Sequence, residues 1–230
     1  MNELGIIFQY HLNDAVTNRN LEVLRRSNPG VPIVLINVQD DDGQSIPGSI
    51  KAVDCGPLGQ RWSKYSAGQD RWRNCDMPFL AWYSSTLRTI SCRRWILLEY
   101  DVYCSMSLLD FIKPTLHADV VAPTIPMQSR EPTWNWFDEI PRFPLKMRPF
   151  ACGLVPLVTT ILSDAAISKI ARFYLDNEID AFCEIRLGTV AAYVGFTSVP
   201  NSHPAARNIS WCGSPKITDE QSIWHPVKTI

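Results

Sequence analysis

Short apolar runs alternate along the chain with longer amphipathic stretches, and this alternation is the first guide to its fold. Residues 5–10 (Gly5-Ile6-Ile7-Phe8-Gln9-Tyr10) form an apolar run that predicts a first strand. His11 to Asp14 turn the chain into a helix, with Thr17 as the expected N-cap and Leu21 and Leu24 on its apolar face. Asn28-Pro29-Gly30 ends that helix, and residues 31–38 read as a second buried strand. Strand, helix and strand in such close succession make a βαβ unit, which implies a parallel sheet. A third short strand is expected over residues 50–54, closed by Cys55-Gly56-Pro57.

The pattern then weakens and recovers. Residues 59–74 show no clean period and predict a loop with at most one helical turn. Arg61, Trp62, Tyr65, Arg71, Trp72 and Arg73 interleave there, a combination suited to stacking a base or holding phosphate, or simply to pinning the loop. Asp76, before Met77 and Pro78, predicts a helix start, with Phe79, Trp82, Tyr83, Thr86, Leu87 and Ile90 at helical spacing. Residues 94–103 follow as a buried strand that ends in acids. Ser105 or Ser107 is expected to cap a helix through Leu108 and Ile112, and residues 120–123 form another strand. Residues 126–149 break the rhythm with several prolines and the aromatics Trp134, Trp136, Phe137 and Phe143; so long a loop predicts a lid over a cleft. Residues 151–157 resume as a strand, Ser163 or Asp164 caps a helix, and residues 181–194 form a last helix stopped by Gly195. The tail, around 208–211 and 223–228, reads as short strand and loop docked through Ile223, Trp224 and Val227. The sum is an α/β fold, a single domain over residues 1–230 with a mostly parallel central sheet flanked by helices.

Composition narrows the function classes. Hydrophobic residues make up 46% of the 230 positions, enough for a substantial core, and the net charge is −1. Without clustered Lys and Arg, a nucleic-acid partner is not expected. No apolar run reaches the length of a transmembrane segment, and Met1-Asn2-Glu3-Leu4 lacks a basic leader region, so a cytoplasmic location is the expectation. The seven cysteines form no C-x-x-C pair and read as reduced thiols, and the Asn208-Ile209-Ser210 sequon reads as chance in that setting.

The candidate chemistry gathers at Glu99-Tyr100-Asp101. Residues i and i+2 of a strand share a face, so these two acids should point together off a strand end, where ligand crevices of open α/β sheets lie. Two carboxylates so placed repel unless a cation sits between them, which suggests a divalent-metal site; an ordinary solvated acidic turn is the alternative. Asp40, Asp41 and Asp42 follow the second strand as a solvated turn, with Asp40 the best placed to meet a base or ribose. Glu184 falls in the first turn of the last helix, where helix electrostatics alone would favour an acid. His225 and Lys228 lie in the tail, and a lone histidine is more often structural than a ligand.

Taken in order, the βαβ unit, the acid-x-Asp closing the central strand, the acid in a late helix and the His-x-x-Lys of the tail resemble the GT-A-fold nucleotide-sugar glycosyltransferases. The resemblance spans nearly the whole chain and implies a Rossmann-like GT-A domain, with residues 1–125 as the nucleotide-binding half and 126–230 as the acceptor side. It implies Mn²⁺ or Mg²⁺ held by Asp101 and His225, with Glu99 and Lys228 meeting ribose, metal or diphosphate. Gln9, Tyr10 and Asp40 would line the nucleoside pocket of a nucleotide-sugar donor, most readily a UDP-sugar, and Glu184 would be the base that deprotonates a carbohydrate or glycolipid acceptor. Glu99 stands where the family's motif has an aspartate. Two alternatives stay open: a sugar nucleotidyltransferase, disfavoured by the absence of glycine in Gln9-Tyr10-His11-Leu12-Asn13, and a catalytically degenerate GT-A domain that binds glycan or protein.

Overall fold

A computed structural model describes residues 1–39, 45–66, 71–210 and 221–228. Strand β1 (Asn2–Tyr10) is flanked in parallel by β2 (Ile33–Asn37) and β4 (Cys92–Glu99), and β3 (Ile50–Lys51) adds in parallel outside β2. The intervening helix α1 (Ala15–Ser27) supplies the expected βαβ crossover. Beyond β4 the sheet continues with β7 (Ile161–Ser163), which runs antiparallel to β4, then β6 (Val120–Ala122) and β8 (Ser198–Pro200). The order β3-β2-β1-β4-β7-β6-β8 is one seven-stranded, mostly parallel sheet to which both halves of the chain contribute. A second, two-stranded sheet joins β5 (Tyr103–Cys104) to β9 (Ile223–Trp224).

Alternation along the central strands decides which layer each side chain enters. Ile7 and Leu97 face the layer formed by α2 (Gly56–Ser66), α3 (Asp76–Ser84), α5 (Asp164–Asp176) and α6 (Cys183–Tyr193). Ile6, Phe8, Ile96 and Leu98 face the opposite layer, where α1 and α4 (Leu108–Ile112) pack. Gln9 and Glu99 share the parity of Ile7 and Leu97 and are aligned partners across β1 and β4. They therefore project side by side at the strand ends, towards the layer of α3 and α6.

Several local expectations change. The cap of α1 is Asp14, whose carboxylate accepts from the Thr17 amide, and Thr17 lies one turn in and buried. Within the span expected as a loop, residues 59–66 form most of α2 and Arg71–Asn74 a short 3₁₀ turn, while 67–70 lie outside the described residues. Leu58, Trp62 and Tyr65 hold helical spacing inwards, a period masked by the polar residues between them, and Gly59 is there because a Cβ would overlap the Ala52 carbonyl. Helix α3 ends at Ser84 rather than near Ile90; residues 77–83 are all buried, as in helices enclosed on every side. The strand expected over 151–157 makes only isolated bridges, Cys152 with Met127 and Val155 with Thr124, and Pro156 has no N–H to give a ladder; the sheet strand is β7. Residues 126–149 are folded into 3₁₀ turns that bury Phe137, Phe143 and Met147. Ser107 and Ser163 cap α4 and α5, and Gly195, with φ of +100°, follows α6.

Asp76 opens α3 but does not cap it. Its carboxylate meets the Arg186 guanidinium, with Nε at 2.9 Å, and accepts from the Tyr174 hydroxyl at 2.6 Å. Arg186 also donates to the Asn74 amide oxygen and the Ile179 carbonyl, so both ions are fully enclosed and well partnered. Removing one member strands a buried charge, and breaking such a pair costs about 3–5 kcal/mol. Asp76→Ala should lower the unfolding free energy by that amount in urea titration, and Asp76→Ala combined with Arg186→Met should cost less than the two separate losses added together.

Candidate functional site

The site begins where β4 ends. The chain leaves the sheet at Glu99 and turns, with Val102 N–H donating to the Glu99 carbonyl. Asn20 of α1 fixes this turn from one side by donating to the Tyr100 carbonyl at 3.0 Å. Asp101 thus lies just past the strand rather than on it, and its 3% exposure leaves the carboxylate almost enclosed.

The tail closes the site from the other side. Pairing of β5 with β9 brings the chain back, and Val227 N–H donates to the Asp101 carbonyl at 2.7 Å. His225 is held by its backbone through bonds to Asn208 and Ser210, and its ring Nδ1 lies 2.7 Å from the Ser210 carbonyl. Since a carbonyl only accepts, Nδ1 carries a proton and donates it to that oxygen, which turns Nε2 towards Asp101 Oδ1, 3.4 Å away. Lys228 Nζ lies 3.8 Å from Asp101 Oδ2, with its side chain largely exposed. Ligand atoms of Glu99, Asp101 and His225 all fall within 4.8 Å of one another, and no other such cluster occurs among the described residues.

The electrostatics of this cluster call for a cation. Burial raises the Glu99 carboxyl, and the Asp101 charge raises it further. Burial pulls the His225 imidazole down, but the hydrogen bond and charge of Asp101, with the charge of Glu99, outweigh it, and the net direction is up. The buried Asp101 Oδ1 is met by the His225 Nε2 at 3.4 Å, a long contact that leaves lone pairs for a cation. Two carboxylates and an imidazole nitrogen, converging with lone pairs to spare, fit Mn²⁺ well, and the carboxylates fit Mg²⁺.

A cleft of about 610 Å³ opens over these groups. Its lining comes from the carboxyl ends of the parallel strands β1, β2 and β4, through Tyr10, Val38 and Glu99, and from the tail through His225 and Lys228. This is the crevice that open α/β sheets offer to ligands. Gln9 lines it too; its amide nitrogen donates to the Cys75 carbonyl at 3.0 Å, and its buried Oε1 accepts nothing from the described residues. The Tyr10 hydroxyl is already engaged, donating to Ser49 and accepting from the Ile46 amide, so Tyr10 offers the cleft a wall and not a polar handle.

The remaining predicted positions fare differently. Asp40, Asp41 and Asp42 lie outside the described residues. Glu184 is fully buried and does not line the cleft. Its Oε1 accepts from the Leu157 amide at 2.9 Å, its Oε2 has no partner among the described residues, and burial holds the carboxyl far above the usual range despite that amide. No residue of 126–149 lines the cleft; that segment reaches it only indirectly, through Trp136 packed against Trp72. Trp62 and Trp72, from the aromatic-basic stretch that the sequence offers for stacking a base or holding phosphate, line it as well, and so does Cys75, which carries no such signal in the sequence.

Among the described residues, no helix is long and apolar enough to cross a membrane. No family model and no curated protein matches the chain. Among solved structures, a galactosyltransferase, LgtC, in complex with donor and acceptor sugar analogs shares 11% sequence identity, with a TM-score of 0.43 over 82% of this chain and 70% of that one. An active-site mutant of LgtC gives 10% identity and a TM-score of 0.40 over 83% and 71%.

Proposed function

We propose that the chain is a metal-dependent GT-A-type glycosyltransferase that uses a nucleotide-sugar donor, of UDP type, and transfers its sugar to a carbohydrate hydroxyl. The observation that carries this reading is the meeting of Glu99, Asp101 and His225 at the floor of the cleft, with ligand atoms within 4.8 Å of one another. Asp101 and His225 would hold Mn²⁺ or Mg²⁺, with Glu99 beside them. When bound, such an ion neutralises charge that builds on a departing diphosphate.

The chain's own groups do the rest. Lys228, exposed at the cleft mouth and 3.8 Å from Asp101, is placed to meet a phosphate oxygen. Tyr10 and Val38, at the ends of β1 and β2, wall the side where a nucleoside would lie, adjoining the position of Asp40 in the chain. In the reaction, the acceptor oxygen bonds to the anomeric carbon while the bond from that carbon to the diphosphate breaks. The diphosphate leaves with the electron pair, and the acceptor proton passes to a base. Glu184 was expected as that base. Within this proposal its part is to brace the wall behind the cleft: its carboxyl accepts the Leu157 amide and its carbonyl accepts the Leu154 amide. Burial, which raises that carboxyl well above the usual range, favours its uncharged form in this role.

A nucleotidyltransferase would use similar metal chemistry, but residues 9–13 carry no glycine with which to cradle phosphates.

Asp101→Ala should abolish Mn²⁺-stimulated turnover across a nucleotide-sugar panel; turnover equal to that of the unaltered protein would remove the assignment. His225→Ala should weaken Mn²⁺ binding about 10–100-fold in calorimetric titration with UDP present, as loss of a ligand or its orienting shell does. For Glu184 the sign follows from a raised folded-state value. Below pH ~4.3 its neutral form is common to both states, and above it the folded chain retains the proton while the unfolded chain loses it. Stability therefore falls as pH rises, and Glu184→Gln should flatten the decline of unfolding free energy between pH 5 and pH 8, read by urea titration at each pH.

A further inference from the structure

The cleft has two chemically different flanks. The ligand atoms of Glu99, Asp101 and His225 gather within 4.8 Å of one another, with Lys228 3.8 Å from Asp101, while Trp62, Trp72 and Pro78 are among the uncharged side chains of the lining. Trp72 is unusual within this set. It is 49% exposed although its ring and its carbonyl are both engaged. Its ring leans on Phe182 at 5.1 Å and Trp136 at 5.7 Å, and those two rings stack on one another at 3.9 Å. Its carbonyl accepts from the Cys75 thiol at 3.2 Å and from the Cys183 thiol at 3.5 Å. Next to it, Arg73 pairs with Glu139 at 2.6 Å, and Glu139 in turn accepts the Phe182 amide. A half-exposed tryptophan held this firmly loses little further freedom when a ligand stacks on it.

Its backing identifies the flank. Trp136, Phe182 and Cys183 belong to the second half of the chain, whereas the nucleoside wall of Tyr10 and Val38 comes from β1 and β2. Cys75 links the platform to the charged end, because it lines the cleft with Glu99, its thiol donates to the Trp72 carbonyl, and its own carbonyl takes the Gln9 amide. Gln9 is 4% exposed, lines the cleft, and presents an Oε1 that no described residue satisfies; such an atom is costly unless a ligand donates to it.

We propose that Trp72 is the stacking platform for a neutral pyranose ring of the acceptor, one of whose hydroxyls donates to Gln9 Oε1. The inference rests on the glycosyltransferase reading and deepens it, naming an uncharged hexopyranoside as the acceptor class. The apolar C–H face of a pyranose matches an indole face, its hydroxyl rim matches a lone amide acceptor, and among the described residues no Arg or Lys other than Lys228 lines the cleft, Arg73 beside Trp72 being paired with Glu139.

The test is saturation-transfer NMR with the full chain, UDP and Mn²⁺, titrated with methyl α- and β-glucosides, galactosides and mannosides. At least one pyranoside should show transfer to its ring C–H protons. That signal should fall about tenfold in Trp72→Ala and be largely kept in Trp72→Phe, in line with the usual worth of one aromatic contact. Gln9→Glu, which keeps an acceptor but adds charge beside Glu99, should weaken the same signal, whereas UDP–Mn²⁺ affinity in Trp72→Ala should stay within about twofold. Pyranoside transfer unaffected by Trp72→Ala, or none with any pyranoside while UDP and Mn²⁺ bind, overturns the subsite and leaves the transferase reading standing. Transfer to uracil protons that depends on Trp72 overturns it in favour of a base-stacking role. Failure of UDP and Mn²⁺ to bind the unaltered protein removes the transferase reading itself, and the subsite with it.

Discussion

The site depends on Asp101 more than on any other residue. Its carbonyl receives the Val227 amide, and its carboxylate faces His225 on one side and Lys228 on the other. One residue therefore joins the end of the central strand to the tail, by a backbone bond and by charge. The cost of enclosing that carboxylate beside Glu99 is offset only by positive charge, whether a proton on the imidazole, the lysine or a metal ion. Everything else in the cleft is arranged around this electrostatic need: α1 fixes the turn through Asn20, and β5 and β9 hold the tail in register.

Away from the cleft, the layer that contains α3 and α6 is rigid for a different reason. Asp76 and Arg186 are completely enclosed and satisfy each other with help from Tyr174, Asn74 and Ile179. Because Asp76 follows Cys75 directly, and Arg186 lies one helical turn after Phe182 and Cys183, the network sets where the Trp72 segment meets α6. Core geometry reaches the cleft wall over short distances, through the chain from Asp76 to Cys75 and the contact of Cys183 with the Trp72 carbonyl.

Much of this architecture is legible in the sequence. The runs at residues 5–10 and 31–38 and the acid-terminated strand at 94–103 are dominated by burial, so their pattern survives without tertiary information. Helix α2 is hidden because Gly59 and the polar residues around Trp62 look like loop chemistry, while the glycine is there for close contact with Ala52. The strand anticipated at 151–157 fails because apolar character there serves burial under α6 and not a ladder; β7, only three residues long, leaves almost no periodic trace. At the site, Glu99 and Asp101 are visible as a motif, and the resemblance to GT-A enzymes supplies His225, which the fold brings within reach. Trp72 is visible only as one of two alternatives, a stacking residue or a pin for its segment, because spacing along the chain cannot tell a tryptophan braced by two other rings from one that fills a core. Glu184 illustrates the converse: its place in a helix's first turn is right, yet complete burial at that turn takes it off the cleft surface.

The pairing of β5 with β9 has a consequence for biosynthesis. A nascent polypeptide lays down β1 through β8 and both helical layers before Ile223 leaves the ribosome, and domains begin to fold as they emerge. The scaffold can therefore settle first, with the Tyr103–Cys104 edge waiting for its partner strand. The cluster of Glu99, Asp101 and His225 is complete only once this later segment has docked, so a chain interrupted before it would present the two acids without the imidazole.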